Sequence, residues 1–64
     1  MKKGQALLMM NMLAAEFGYK VEWVLLPGGK QVDALRLENE EGDIREFRGE
    51  EKCAEAVQWL RAKA

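Results

Sequence analysis

Four glycine-containing breaks divide this chain: Gly18, Pro27-Gly28-Gly29, Gly42 and Gly49. They constrain the fold more than any other feature, because the hydrophobic period changes at each one. Residues Gln5 to Phe17 are rich in Leu, Met and Ala and contain no β-branched residue, which predicts a helix. Gly18 is placed to stop it. At 100° per residue, Ala6, Met10, Leu13, Ala14 and Phe17 share the face that a core would take.

The next three segments alternate with period two. Tyr19 to Leu26, Gln31 to Glu38 and Ile44 to Arg48 read as strands. Short connections between them make the pairing antiparallel. A three-residue loop needs a left-handed residue at its last position, which suits Gly29 and Gly42. On that basis Val21 is expected opposite Leu35, Tyr19 opposite Leu37 and Val24 opposite Val32. In the second hairpin, Leu35 is expected opposite Phe47 and Arg36 opposite Glu46. Tyr19, Val21, Trp23, Leu25, Leu35, Leu37 and Phe47 then share one sheet face.

Glu50 to Ala64 reads as the second helix. Glu50 and Glu51 lie in its first turn, Arg61 and Lys63 in its last, and Cys53, Ala56, Val57, Leu60 and Ala64 form an apolar stripe. The expected fold is a single α+β domain over residues 1–64, in the order α-β-β-β-α. A three-stranded antiparallel sheet carries both helices on its one strongly apolar face.

What the residue inventory lacks limits function. The 64 residues include no His, Ser or Thr. Serine and threonine nucleophiles and a histidine base are therefore excluded. A single Cys, Cys53, allows no internal disulfide and leaves a zinc site without partners. On the stripe with Val57 and Leu60, it reads as a buried structural thiol. The carboxylates Glu38, Glu40, Glu41 and Asp43 lack calcium-loop spacing and read as a solvated hairpin tip. Pro27-Gly28-Gly29 joins two strands and opens no helix, so it is turn chemistry rather than a phosphate loop. No catalytic residue, metal site or cofactor is expected.

The N-terminus has the outline of a secretory signal, with Lys2 and Lys3 before an apolar run and small residues at Ala14 and Ala15. Asn11 interrupts the run, and removal of residues 1–15 would leave 64 − 15 = 49 residues without a disulfide. That is near the lower limit for independent folding, which favours an ordinary first helix. A membrane span needs about 20 apolar residues, and Lys20 and Glu22 come too soon. A lone thiol fits a reducing, cytoplasmic setting.

The element order and length resemble the double-stranded RNA-binding domain. Lys52, Ala54 and Ala56 are similar to the Lys- and Ala-rich second helix of that family. The resemblance spans the chain, and it implies duplex RNA binding through Lys2, Lys3, Lys20, Lys30 and Lys52. Glu50 and Glu51 oppose it, since they stand where phosphate would be gripped. Residues 38–55 hold eight acids and three bases, a net of −5, against seven bases and three acids elsewhere, a net of +4. An acidic half of this kind could occlude a basic nucleic-acid-binding partner.

Two surfaces carry more apolar residues than a small monomer needs. The outer sheet face is expected to present Val24, Leu26, Val32, Ala34 and Ile44, with Arg36 and Arg48 among them. The back of the first helix presents Leu8 and Met12. Contiguous exposed apolar patches mark interfaces. Domains this small commonly need a disulfide, a metal or a partner, and the first two are absent from the inventory. The sequence therefore points to a non-enzymatic protein-binding module, a regulator, inhibitor or accessory subunit. It would dimerise or dock on a larger protein through these nine residues.

Overall fold

Gly18 ends the first helix in the manner its position predicts. Its φ is +80°, and its N–H donates to the Ala15 carbonyl at 3.3 Å, while Phe17 N–H donates to the Leu13 carbonyl at 2.9 Å. The computed structural model describes residues 2–25, 27–28 and 32–63. Its elements are α1 (Lys3–Glu16), β1 (Tyr19–Leu25), β2 (Val32–Asn39), β3 (Ile44–Arg48) and α2 (Lys52–Arg61). The sheet is antiparallel in the order β1-β2-β3. The fold is α+β in the order α-β-β-β-α, with both helices against the sheet and against each other.

The second hairpin matches the sequence reading residue for residue. Leu35 faces Phe47, and Arg36 faces Glu46. Its turn is held by Asn39, whose Oδ1 accepts from Glu41 N–H at 3.1 Å and from Asp43 N–H at 2.9 Å. Gly42 takes φ +86°, the left-handed value that a three-residue loop requires.

The first hairpin is registered two residues away from the expected pairing. Val21 faces Leu37 rather than Leu35, and Tyr19 faces Asn39 rather than Leu37. Val24 faces Ala34 rather than Val32. A shift of two leaves every side chain on its face, so hydrophobic alternation does not distinguish the registers. Gly28 has the positive φ, at +101°; the expected left-handed Gly29 lies outside the described residues. So do Leu26, at the expected end of the first strand, Gln31, at the expected start of the second, and Ala64 on the helical stripe.

This hairpin also contains one irregularity. Val24 pairs with Ala34, but Leu25 pairs with Val32, so Asp33 has no partner on β1. This is a β-bulge, and it turns Val32 to the face that carries the helices.

The core lies between that face and the helices. Met10, Ala14, Tyr19, Leu35, Leu37, Phe47, Ala56, Val57 and Leu60 form one buried cluster. Met9, Leu13, Phe17, Val21, Cys53 and Trp59 pack at its edge. The segment with the outline of a signal is thus part of this core. Leu37→Ala should destabilise the protein by about 3 kcal/mol, because the side chain is fully enclosed. Ile44→Ala, at an exposed position, should cost under about 1 kcal/mol. Urea denaturation of the two variants measures the contrast.

Candidate functional site

The outer face of the sheet is charged rather than apolar. Arg48 donates through Nη2 to Glu46 Oε1 at 2.6 Å and through Nη1 to Asp33 Oδ2 at 2.7 Å. These pairs, Glu46 first, hold the Arg48 guanidinium above its usual pKa. Arg36 lies 3.9 Å from Glu38. Ala34 is buried here, outside the main core cluster, with Val24 on one neighbouring strand and Arg48 on the other. Val24 is half-buried. Of the apolar residues expected on this face, Ile44 is the one described residue that stands exposed on it, and Leu26 lies outside the described residues. The expectation fails at Ala34, which its neighbours enclose, and at Val32, which the bulge turns over.

The exposure expected on the first helix is present. Leu8 and Met12 are each 63% exposed, on the side of α1 opposite the buried Met10. Asn11 beside them donates to the Leu7 carbonyl at 3.1 Å.

Val32 contributes to an apolar cleft instead. The cleft encloses about 340 Å³ between the start of α1, the bulged end of the sheet and the start of α2. Ala6, Leu7, Trp23, Val32, Cys53 and Ala54 form its apolar wall, and Glu50, Glu51 and Lys52 its rim. Leu7 is 41% exposed, Trp23 37% and Val32 40%, with Leu25 beside Val32 at 51%. The helices cover Leu35 and Leu37, but at this end they wall the cleft without closing it. Burial pushes the Cys53 thiol up, with Lys52 drawing it partly back, so the sulfur is a protonated wall group.

Sequence reading did not find this cleft, because its residues come from four separate segments. It also passed over Trp59. Away from the cleft, Trp59 meets Tyr19 and Phe47 edge-on, with centroids 5.4 and 5.8 Å apart. The Lys63 ammonium sits 4.3 Å from the Trp59 ring centroid. The Tyr19 hydroxyl donates to Asp43 Oδ2 at 2.7 Å, and Lys63 Nζ is 3.6 Å from the same oxygen. The Tyr19 bond, with Lys63 adding to it, holds Asp43 below its ordinary value near 3.8, against an opposing effect of burial that is second only to the Tyr19 bond. The i, i+4 spacing of Trp59 and Lys63 was the signal in the sequence.

The acidic hairpin tip does not gather ligands. Asp43 is engaged by Tyr19 and Lys63, and no group of three potential metal ligands forms among the described residues. The candidate phosphate-binding lysines are dispersed. Lys2 and Lys52 lie at the starts of their helices, with Lys52 Nζ 3.3 Å from the Gly49 carbonyl. Lys20 lies beyond the other end of α1, about 20 Å of helix away. Lys30 and the Lys3 side chain are outside the described atoms. No described helix is long and apolar enough to cross a membrane. The chain matches no protein-family model, no curated protein and no solved structure.

Because Asp43 titrates lower folded than unfolded, its stabilisation is present above the ordinary carboxylate value and is lost as pH falls through the depressed one. Thermal melts between about pH 5 and pH 2 should therefore show a steeper acid loss for the parent protein than for Asp43→Asn. Tyr19→Phe should move the Asp43 carboxyl titration, followed by NMR, upward.

Proposed function

We propose that this protein is a small, non-enzymatic protein-binding module, and that its cleft receives an apolar side chain from a partner protein. One observation carries the reading. Leu7, Trp23 and Val32 remain exposed together around a cavity of about 340 Å³. That volume lies at the small end of the ligand-pocket range, a size suited to one or two side chains. Trp is also the residue type most enriched where binding energy concentrates.

The rim narrows the partner. Glu50 and Glu51 flank the cleft, with Lys52 as the one base among the described lining residues. They belong to the stretch of net −5, so the favoured partner segment sets Lys or Arg beside its apolar anchor. This is also the observation that favours an inhibitor of a basic nucleic-acid-binding protein. The acidic rim speaks against direct phosphate binding for the same electrostatic reason.

The chemistry of the chain supports binding rather than catalysis. It has no His, Ser or Thr, and its one thiol is held protonated. That free thiol suits a reducing, cytoplasmic setting.

Peptide titration followed by nitrogen-15 NMR tests the proposal. A short peptide with Phe or Leu flanked by lysines should shift the Trp23 indole and the Val32 and Cys53 amides. A glutamate-flanked peptide should bind more weakly, and Trp23→Lys should remove the effect. If neither peptide moves those resonances at millimolar concentration, the proposal is wrong.

A further inference from the structure

The first helix has its end charges reversed for a helix on its own. A helix favours acids at its N-terminus and bases at its C-terminus. Lys2 caps the start of α1 without a side-chain bond, Lys3 opens it and Glu16 closes it. No acid lies in its first turn and no base in its last. Between Lys3 and Glu16, residues 4–15 carry no charge at all. The solvent side of this stretch presents Gly4, Leu8, Met12 and Ala15, at helical spacing, opposite the buried Met10.

Gly4 adds an independent sign. Gly18, Gly28, Gly42 and Gly49 each take a positive φ, but Gly4 does not. A Cβ built on Gly4 would meet nothing within 4 Å. Neither backbone conformation nor packing inside the chain calls for glycine there, and glycine disfavours a helix.

We infer that α1 is the seam of a homodimer, packed antiparallel on α1 of a second copy about a two-fold axis that crosses the exposed face midway between Leu8 and Met12. In that arrangement Leu8 of each copy meets Met12 of the other, and the small Gly4 lies beside the partner's Ala15. Closely approaching backbones are what small residues at such positions permit. Lys2 of each copy stands at the partner's helix C-terminus beside the partner's Glu16. Each reversed end charge then finds a charge and a dipole end of opposite sign. A two-fold contact needs this kind of self-complementary patch. Leu7 points aside from the seam into the cleft, so the dimer leaves the proposed partner site open and does not depend on it.

Light scattering behind size exclusion, over a concentration series, reads the assembly. The parent protein should run at twice the 7.3 kDa chain mass. The double variant Leu8→Glu with Met12→Glu should run as a monomer with unchanged far-UV dichroism, since both side chains are exposed in the single chain. The charge variants address the orientation. Lys2→Glu and Glu16→Lys each improve the helix's match to its own dipole, so a loss of dimer cannot come from a weakened helix. Each alone should raise the dimer dissociation constant about tenfold, through two symmetric pairs turned repulsive. Combining them in one chain should restore much of it, since the charge pair is regained while the contacts with the partner's helix ends stay reversed. A monomeric parent protein at several hundred micromolar overturns the proposal, and so does a dimer indifferent to the Leu8 and Met12 changes. A dimer that tolerates both single charge variants unchanged overturns the antiparallel seam.

Discussion

The rest of the structure depends on enclosing two leucines on the central strand. Only β2 has a strand on each side, and Leu35 and Leu37 project from it into a layer made by both helices. Neither leucine keeps any accessible surface, nor do Met10, Ala14, Ala56 and Leu60 around them. A chain of 64 residues can enclose only a small core and leaves other apolar side chains at the surface. The helices therefore cover the sheet around Leu35, Leu37, Phe47 and Tyr19. They leave Trp23 and Leu25 at its far end partly exposed. The cleft is a direct result of this limited cover.

The bulge at Asp33 decides the character of both sheet faces. An extra residue without a partner on β1 carries Val32 to the helix side, where it lines the cleft. The same residue offers Arg48 a carboxylate, and Arg48 joins Asp33 to Glu46 across the outer face. Exposed pairs of this kind add little stability. Their effect here is to make that face polar, so the apolar exposure concentrates around the cleft and on α1.

The opposite end of the molecule is closed by different means. Trp59, Tyr19 and Phe47 pack edge to face, and the Lys63 ammonium rests against the Trp59 ring. Asp43 joins this cluster through the Tyr19 hydroxyl. These contacts tie the end of α2 to the β2–β3 hairpin and to the start of β1. The acidic residue at the hairpin tip is thereby a structural partner and not a free ligand.

Element types and order, the register of the second hairpin and the buried faces of both helices were legible in the sequence. Each rests on local chemistry: the period of the apolar residues, the helix stop at Gly18 and the left-handed turn at Gly42. The exposure of Leu8 and Met12 was legible too, because they lie opposite the stripe that must be buried. Tertiary structure alone decided the register of the first hairpin, the bulge at Asp33, the enclosure of Ala34 and the cleft. Strand alternation repeats every two residues, so a two-residue slip leaves the pattern unchanged. A one-residue bulge reverses the face of its neighbours along the strand without a mark in the composition. Those choices are made by packing between segments distant in the chain, where local preference has no say.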